Sequence, residues 1–215
     1  MSDAPDSPAR HALRTAAILL GFTVIGTALL AATFAATRGI VERNEQEARR
    51  ALIREVLPSG DYDNDLIAAA FELAPHPLLG NAGPTTAYRA QKDGAFSAAV
   101  FEAVAPDGYS GRIQLLIAVR ANGEVAGVRV IAHKETPGLG DYIERRKSAW
   151  IDSFQQASLA RSGERDWQVK KDGGRFDYVT GATITPRAIV KAVHRALQYF
   201  ERHRAEFAAV QPKRE

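Results

Sequence analysis

The sequence predicts an α+β fold in which an antiparallel sheet packs with helices, preceded by one N-terminal transmembrane helix. Three observations support this prediction: an uncharged apolar stretch near the N-terminus, two hairpin signals in the middle of the chain, and helical patterns that follow the strands. Runs of strands followed by helices are typical of α+β folds rather than doubly wound ones. With 215 residues, the chain suits one domain and an appendage.

Composition excludes several classes of protein. Hydrophobic residues make up 46% and charged residues 25% of the chain, as in folded proteins. The formal net charge is only +3 and the basic residues are interspersed with acidic ones, so no nucleic-acid-binding stripe is indicated. The chain has no cysteine, which excludes disulfides, zinc–thiolate sites, cysteine-ligated iron–sulfur clusters and cysteine nucleophiles.

The predicted membrane anchor is residues 15–37, which contain no charged side chain and lie between Arg14 and Arg38. A helix rises about 1.5 Å per residue, so this stretch can cross a hydrocarbon core of about 30 Å. A cleaved signal peptide is an alternative, with small residues at 32–36, but its apolar region normally spans only about 7–15 residues. A buried core helix is a second alternative, and it would need apolar surroundings on every side. We therefore predict a retained anchor.

The charges that flank the anchor do not fix its orientation. A simple count of positive charges would place the large domain in the cytoplasm, because four arginines follow the anchor and two precede it. Long domains cross membranes largely regardless of such a small bias. The arginines are Arg10 and Arg14 before the anchor, and Arg38, Arg43, Arg49 and Arg50 after it.

A helical stalk is predicted after the anchor. Apolar residues recur at four-residue spacing in 41–57, at Ala48, Leu52 and Val56, and the Pro-Ser-Gly sequence that follows ends the helix.

The next residues, 61–65, read DYDND and superficially resemble a calcium loop. Leu66 occupies the place where such a loop needs glycine, so a solvated turn is the preferred interpretation.

The antiparallel sheet is predicted from two hairpin signals. In the first, a strand from Thr85 is followed by an Asp93-Gly94 turn and an apolar run at 96–104. In the second, strands at 112–120 and 124–132 flank an Asn-Gly turn.

Helical segments are predicted at 141–160 and 186–200, after the strands. The chain thus divides into an N-terminal tail (1–14), the anchor (15–37), a helical stalk and connector (38–84), a folded domain (85–205) and a C-terminal tail (206–215).

Two segments just outside the regular elements contain the residues best suited to a binding site: HKETPGLG at 133–140 and DYVTGATIT at 177–185. Thr185 and Pro186 together predict a helix start, with threonine as N-cap and proline in the first position. Thr183 then lies just ahead of a helix N-terminus, where backbone N–H groups and the helix dipole favour a phosphate. A tight turn without a ligand would explain either segment equally well.

The residues of the second segment also carry a resemblance. Asp177, Thr180, Gly181, Ala182 and Thr183 match the flavinylation pattern D-x-x-[S/T]-G-A-T of FMN-binding domains. HKETPGLGDYIE at 133–144 and WQVKKDGGRFD at 167–177 occur in the order typical of that family. Together with the anchor, the chain resembles the G subunits of Rnf ion-translocating electron-transport complexes over nearly its whole length. The related C subunits of Na⁺-translocating NADH:quinone reductases share the flavinylation motif and are the alternative.

The resemblance implies a cofactor and its site. In the family, FMN is esterified through its phosphate to the last threonine of the motif, which is Thr183 here. It also implies flavin contacts on both segments, with Lys171 added as a candidate for the phosphate or the flavin edge. These candidates are Glu135, Thr136, Leu139, Gly140, Lys171, Thr180, Gly181 and Ala182.

The resemblance further implies a function and its partners. The chain would relay electrons within a membrane complex that couples NADH and ferredoxin oxidoreduction to ion movement, without turnover of its own. Its partners would be the other subunits of the complex and an FAD:protein FMN transferase. The chain would lie in a bacterial inner membrane with its domain on the periplasmic side. A membrane-tethered sensor that binds flavin or phosphate reversibly remains a separate hypothesis.

Overall fold

The computed structural model describes residues 8–209, which form two compact units: residues up to Ala48, and residues from Arg49 onward. Helix α1, Pro8–Val56, contributes to both units. Among the described residues, one helical stretch, Ala12–Val56, is long and apolar enough to cross a membrane. The apolar side chains of the predicted anchor are exposed, with Phe22 and Leu30 each at 73%. Within the described residues this stretch is not part of a core, so the alternative of a buried core helix is wrong.

Three threonine hydroxyls of the predicted anchor bond to the backbone of their own helix. The hydroxyls of Thr23 and Thr33 donate to the carbonyls four residues earlier, both at 2.9 Å, and that of Thr37 does the same at 2.8 Å. Polar groups in a hydrocarbon layer must find partners within the protein. These threonines are therefore compatible with a helix that spans a membrane.

The second unit is built on one antiparallel sheet whose five strands are neighbours in chain order. Both predicted hairpins are confirmed. The first turn has positive φ at Asp93 and Gly94, and in the second Asn122 Oδ1 accepts a hydrogen bond from the Glu124 N–H at 3.0 Å. The first strand was not predicted, because its four residues are too short for a clear alternation. The strands are β1 (Ala70–Leu73), β2 (Thr85–Lys92), β3 (Ala95–Gly108), β4 (Gly111–Arg120) and β5 (Val125–Ala132).

Alternate side chains of the central strands fill two separate cores. On one face, Phe101 and Ile117 pack with helix α2, Ile184–Ala209. On the other face, Val100 and Leu116 pack with the last turn of α1 and the residues that follow it. The residues from the α1 side that are buried there are Ile53, Val56, Leu57 and Leu66.

The prediction of a helix at 141–160 is wrong. This segment forms only two 3₁₀ turns, Asp141–Ile143 and Trp150–Phe154. Its N–H groups bond mostly three residues back, as from Gln155 to the Asp152 carbonyl at 3.0 Å, and its later residues also bond to the start of β5. There, Val125 N–H donates to the Ala157 carbonyl at 2.8 Å, and Gln156 N–H donates to the Val125 carbonyl at 2.9 Å. These turns and the bonds to β5 replace the hydrogen bonds of an α-helix.

Helix α2 is longer than predicted at both ends. It begins at Ile184 and continues to Ala209, beyond the predicted end at Phe200. Phe207, which the sequence placed in a C-terminal tail, is only 2% exposed and packs against Phe101 and Phe200. The remainder of that tail, 210–215, lies outside the described residues, as do residues 1–7 of the N-terminal tail.

Candidate functional site

One pocket of about 330 Å³ lies where three parts of the domain meet. They are the tip of the β3–β4 hairpin, the loop at 133–140, and the turn that leads into α2. This volume is at the lower end of the usual range for small-molecule sites, about 300–1,000 Å³. The pocket is lined by Tyr109, Glu135, Thr136, Leu139, Gly140, Gly181, Ala182, Thr183, Ile184 and Thr185.

The loop at 133–140 is a closed turn, and its two glycines are needed for different reasons. The Thr136 carbonyl accepts hydrogen bonds from the N–H groups of Leu139 and Gly140, both at 3.1 Å. Gly138 has a φ of +77°, which side chains other than glycine rarely adopt. Gly140 is needed for space, because a Cβ there would lie 2.8 Å from Glu135 Oε2. The turn holds Leu139 outward, half exposed at 50%, beside the pocket.

Glu135 joins the three parts of the site. Its side chain is buried, with the residue 4% exposed. Oε2 accepts a hydrogen bond from the Thr185 hydroxyl at 2.5 Å, and Oε1 accepts one from the Ser110 N–H at 3.0 Å. Its own N–H donates to His133 Nδ1 at 3.0 Å. One carboxylate therefore fixes the hairpin tip and the start of α2 relative to the loop.

Thr183 is the residue immediately before α2, so the helix starts earlier than predicted. The prediction that Thr185 is the N-cap is wrong: Thr185 is the second helical residue, and its hydroxyl bonds to Glu135 instead. The first helical hydrogen bond runs from Arg187 N–H to the Thr183 carbonyl at 3.4 Å. The N–H groups of a first helical turn have no acceptor within the helix. Thr183 lines the pocket at this anion-favouring helix end.

The turn before α2 brings its small residues to the pocket wall. Gly181 has a φ of +90°, and the Ala182 N–H donates to the Val179 carbonyl at 3.0 Å. Thr180, next in the chain to Gly181, is exposed and is not among the residues that line the pocket.

Lys171 also lies away from the pocket lining, in the exposed 3₁₀ turn Lys170–Asp172. That turn borders a different cavity, of about 370 Å³, along the next turns of α2. Arg187, four residues after Thr183, lines this second cavity, and its Nε and Nη2 groups donate to the Asp172 carboxylate at 2.6 and 2.5 Å. The Arg187 guanidinium is thus paired with Asp172 in the second cavity and is not among the residues that line the pocket at Thr183.

Ion pairs and hydrogen bonds of Asp141 and Glu144 hold the end of the 133–140 loop. The pKa of Asp141 is lowered, first by its hydrogen bond from Lys147 and then by the Gly138 N–H, which donates at 2.9 Å. The pKa of Glu144 falls to about 2, chiefly because Arg146 donates to its carboxylate. Burial raises the pKa of Tyr142 to about 12. Both carboxylates are thus ionised at neutral pH and hold the end of the loop.

Two histidines, His133 and His194, have partners within the fold. His133 Nε2 lies 3.1 Å from Glu144 Oε1, and the His194 ring stacks on Trp167 with centroids 5.1 Å apart. Within residues 8–209, no cluster of three or more His, Cys, Asp or Glu side chains could hold a metal ion. The DYDND segment is likewise used in the fold: Asp61 pairs with Arg120 at 2.9 Å.

Of the ten lining residues, the sequence predicts seven as site residues and misses three, Tyr109, Ile184 and Thr185. A usable signal for Tyr109 is its place as an aromatic residue in a Gly-Tyr-Ser-Gly hairpin tip. Thr185 is predicted only as a cap and not as a partner of Glu135. That pairing joins residues fifty positions apart in the chain, so no local pattern indicates it.

Comparison with known proteins identifies the family. Residues 108–198 match the FMN-binding domain, and residues 1–56 match the RnfG N-terminal region. The G subunit of the ion-translocating oxidoreductase complex of Pseudomonas aeruginosa (strain UCBPP-PA14) is 46% identical, and the alignment covers 95% of this chain and 96% of that protein. Proteins of the same name from Vibrio cholerae (strain O395) and Shewanella baltica (strain OS223) are 44% and 43% identical. The alignments cover 88% of this chain in both cases, and 90% and 89% of those proteins.

These matches confirm the resemblance inferred from sequence, and they favour the Rnf-type G subunit over the related C subunit of the quinone reductase. The matched FMN-binding region includes the hairpin tip, the 133–140 loop and the turn before α2, and so contains every residue that lines the pocket. Because the similarity extends over nearly the whole chain, this protein belongs to the family of G subunits of ion-translocating oxidoreductase complexes.

Proposed function

We propose that this chain is an electron-transfer subunit of a membrane-bound, ion-translocating NADH/ferredoxin oxidoreductase complex, and that it carries FMN joined through its phosphate to Thr183. The observation that supports this proposal most directly is the position of Thr183, which lines the pocket at the N-terminal end of α2. The flavinylation pattern ends at the same residue, and the pattern lies within the FMN-binding domain match.

The residues present suit the two ends of FMN. At Thr183, the N–H groups of a first helical turn, which have no acceptor within the helix, favour a phosphate, and the small residues Gly181 and Ala182 leave room for it. Away from that end, Leu139 gives the pocket an apolar wall beside the Thr136 and Gly140 turn. The bound FMN would supply the electron chemistry, while the chain binds and orients it. Thr180 and Lys171 do not line the pocket, so the proposal does not rest on them.

We also propose with which proteins the chain exchanges electrons and how it acquires its cofactor. Electrons would pass between the flavin and neighbouring subunits of the complex, and the isolated chain would have no turnover. An FAD:protein FMN transferase would attach the cofactor on the periplasmic side of the inner membrane, where the domain would also lie. An ester bond suits that location, because a flavin lost outside the membrane could not be replaced readily from the cytoplasm.

The experiment is to produce the full chain together with the transferase, denature it and look for flavin fluorescence on the gel. Thr183→Val is expected to lose the signal completely, because no hydroxyl remains to form the ester. Thr180→Val is the matched control and should keep it. Thr185 is a poor alternative acceptor, since its hydroxyl is buried against Glu135.

Two outcomes would count against the proposal in different ways. A wild-type chain without covalent flavin would overturn the electron-carrier proposal and favour the reversible sensor. Loss of fluorescence in Thr180→Val with retention in Thr183→Val would move the bond to Thr180.

A further inference from the structure

We propose that the Tyr109 ring covers the flat ring system of the bound flavin and shields one of its faces from solvent. This inference rests on the proposed function, and it assigns a role to a residue outside both of the segments considered from sequence.

Large apolar side chains are exposed in the described part of the domain only around this pocket. After Ala48, those that the structure shows as exposed are Tyr109 at 68%, Leu139 at 50%, Ile184 at 47% and Val179 at 42%. The first three line the pocket, and Val179 belongs to the turn that carries Gly181. Exposed apolar groups that converge on one cavity indicate a ligand or partner that covers them.

The hairpin tip that carries Tyr109 is anchored to the floor of the pocket on both sides of the ring. The strand pairing shifts between Ala105 and Gly108, and Gly108 pairs with Gly111. A Cβ at Gly108 would lie 2.9 Å from Glu135 Oε1, and the same oxygen accepts the Ser110 N–H at 3.0 Å. The backbone beside Tyr109 is therefore fixed by Glu135, which also holds Thr185 at the start of α2.

The Tyr109 ring makes little contact with the protein, whereas the backbone next to it is held by Glu135. A tyrosine that is 68% exposed gains little from packing, yet its position at the pocket is set by a buried carboxylate. An exposed aromatic ring that lines the same pocket as Leu139 and Ile184 suits a planar aromatic group, which it can stack on or meet edge to face. Of the parts of FMN, only the isoalloxazine ring has that shape. The phosphate end would lie at Thr183, on another wall of the same pocket.

The test uses the full chain in detergent, produced with the transferase, and compares wild type with Tyr109→Ala, Tyr109→Leu and Tyr109→Phe. Covalent flavin per chain is measured in all four, and each optical signal is expressed per attached flavin. Removing the ring in the Ala and Leu variants should raise the fluorescence of the attached flavin several-fold, increase its quenching by iodide, and weaken its visible circular dichroism. Tyr109→Phe keeps the ring, so its iodide quenching should match the wild type.

The outcomes separate this inference from the proposed function. Covalent flavin with unchanged iodide quenching and circular dichroism in both Tyr109→Ala and Tyr109→Leu would overturn the inference alone. That result is also the one expected if the exposed rim served only to dock a protein. A wild-type chain without covalent flavin would overturn the proposed function and the inference with it.

Discussion

At the scale of single residues, the site depends on two carboxylates, one of which is buried while the other lies nearer the surface. Glu135 is buried and uses both oxygens to join separate parts of the pocket. Glu144 lies nearer the surface, where Arg146 and Lys147 donate to it and His133 lies 3.1 Å away. The first sets the geometry of the pocket, and the second holds the end of the loop that carries Leu139.

Glu144 should make stability depend on pH in the acid range. Its pKa falls from an ordinary 4.5 to about 2 in the folded chain. A lowered pKa contributes stability that is fully present above the unfolded value and is lost as pH falls towards the folded one. We therefore expect the stability advantage of wild type over Glu144→Gln to shrink between about pH 4.5 and pH 2.

The measurement for Glu144 is urea unfolding followed by the fluorescence of Trp150 and Trp167, the only two tryptophans in the chain, at neutral pH and across the acid range. Glu164→Gln, in an exposed 3₁₀ turn, serves as the control and should follow the wild type. A difference between wild type and Glu144→Gln that stays constant across the acid range would contradict the role assigned to this carboxylate.

At the scale of elements, a helix packs on each of the two faces of the sheet and holds it in place. Helix α2 covers one face, and the last turn of α1 lies directly on β5. The contact with β5 is close because Gly127 has no side chain: a Cβ there would lie 2.6 Å from the Val56 carbonyl oxygen and 2.9 Å from its Cα. Backbone atoms cannot turn aside as a flexible side chain can, so a larger residue would push α1 from the sheet.

Gly127→Val should therefore destabilise the domain by about 1–3 kcal/mol, as overpacking of a core typically does. Gly83→Ala is the matched control, because a Cβ at Gly83 meets nothing within 4 Å and its stability should change little. Urea unfolding of both variants by tryptophan fluorescence gives the comparison. Equal unfolding midpoints for Gly127→Val and wild type would contradict the close packing of α1 on β5.

At the scale of the whole molecule, the boundary between the two compact units falls inside α1, after Ala48. The residues from Arg49 to Val56 are helical like the anchor, but they belong to the packing of the domain. Burying a side chain such as Ile53 or Leu57 stabilises a fold by about 1.5–3 kcal/mol. Several such residues together approach the total stability of a domain, about 5–15 kcal/mol.

Two truncations should consequently behave differently. A chain of residues 49–215 is expected to be folded and soluble without detergent, since it keeps both cores and lacks the exposed apolar anchor. A chain of residues 85–215 should be unfolded or aggregated, because it lacks β1 and exposes Val100 and Leu116 on the α1 face of the sheet. Near-UV circular dichroism and gel filtration would show the difference. Similar stability of the two chains would contradict the role of the α1 end.

The sequence by itself determined the features that depend on local chemistry: an apolar helix long enough to cross a membrane, the two hairpins with their Asp-Gly and Asn-Gly turns, and the anion-favouring helix start near Thr183. Each follows from the conformational preferences of neighbouring residues. Tertiary structure decided what depends on distant partners. It replaced the helix expected at 141–160 with turns that bond to β5, and it directed Thr185 to Glu135 and brought Tyr109 to the pocket. Those contacts join residues far apart in the chain, and only packing of the whole domain brings them together.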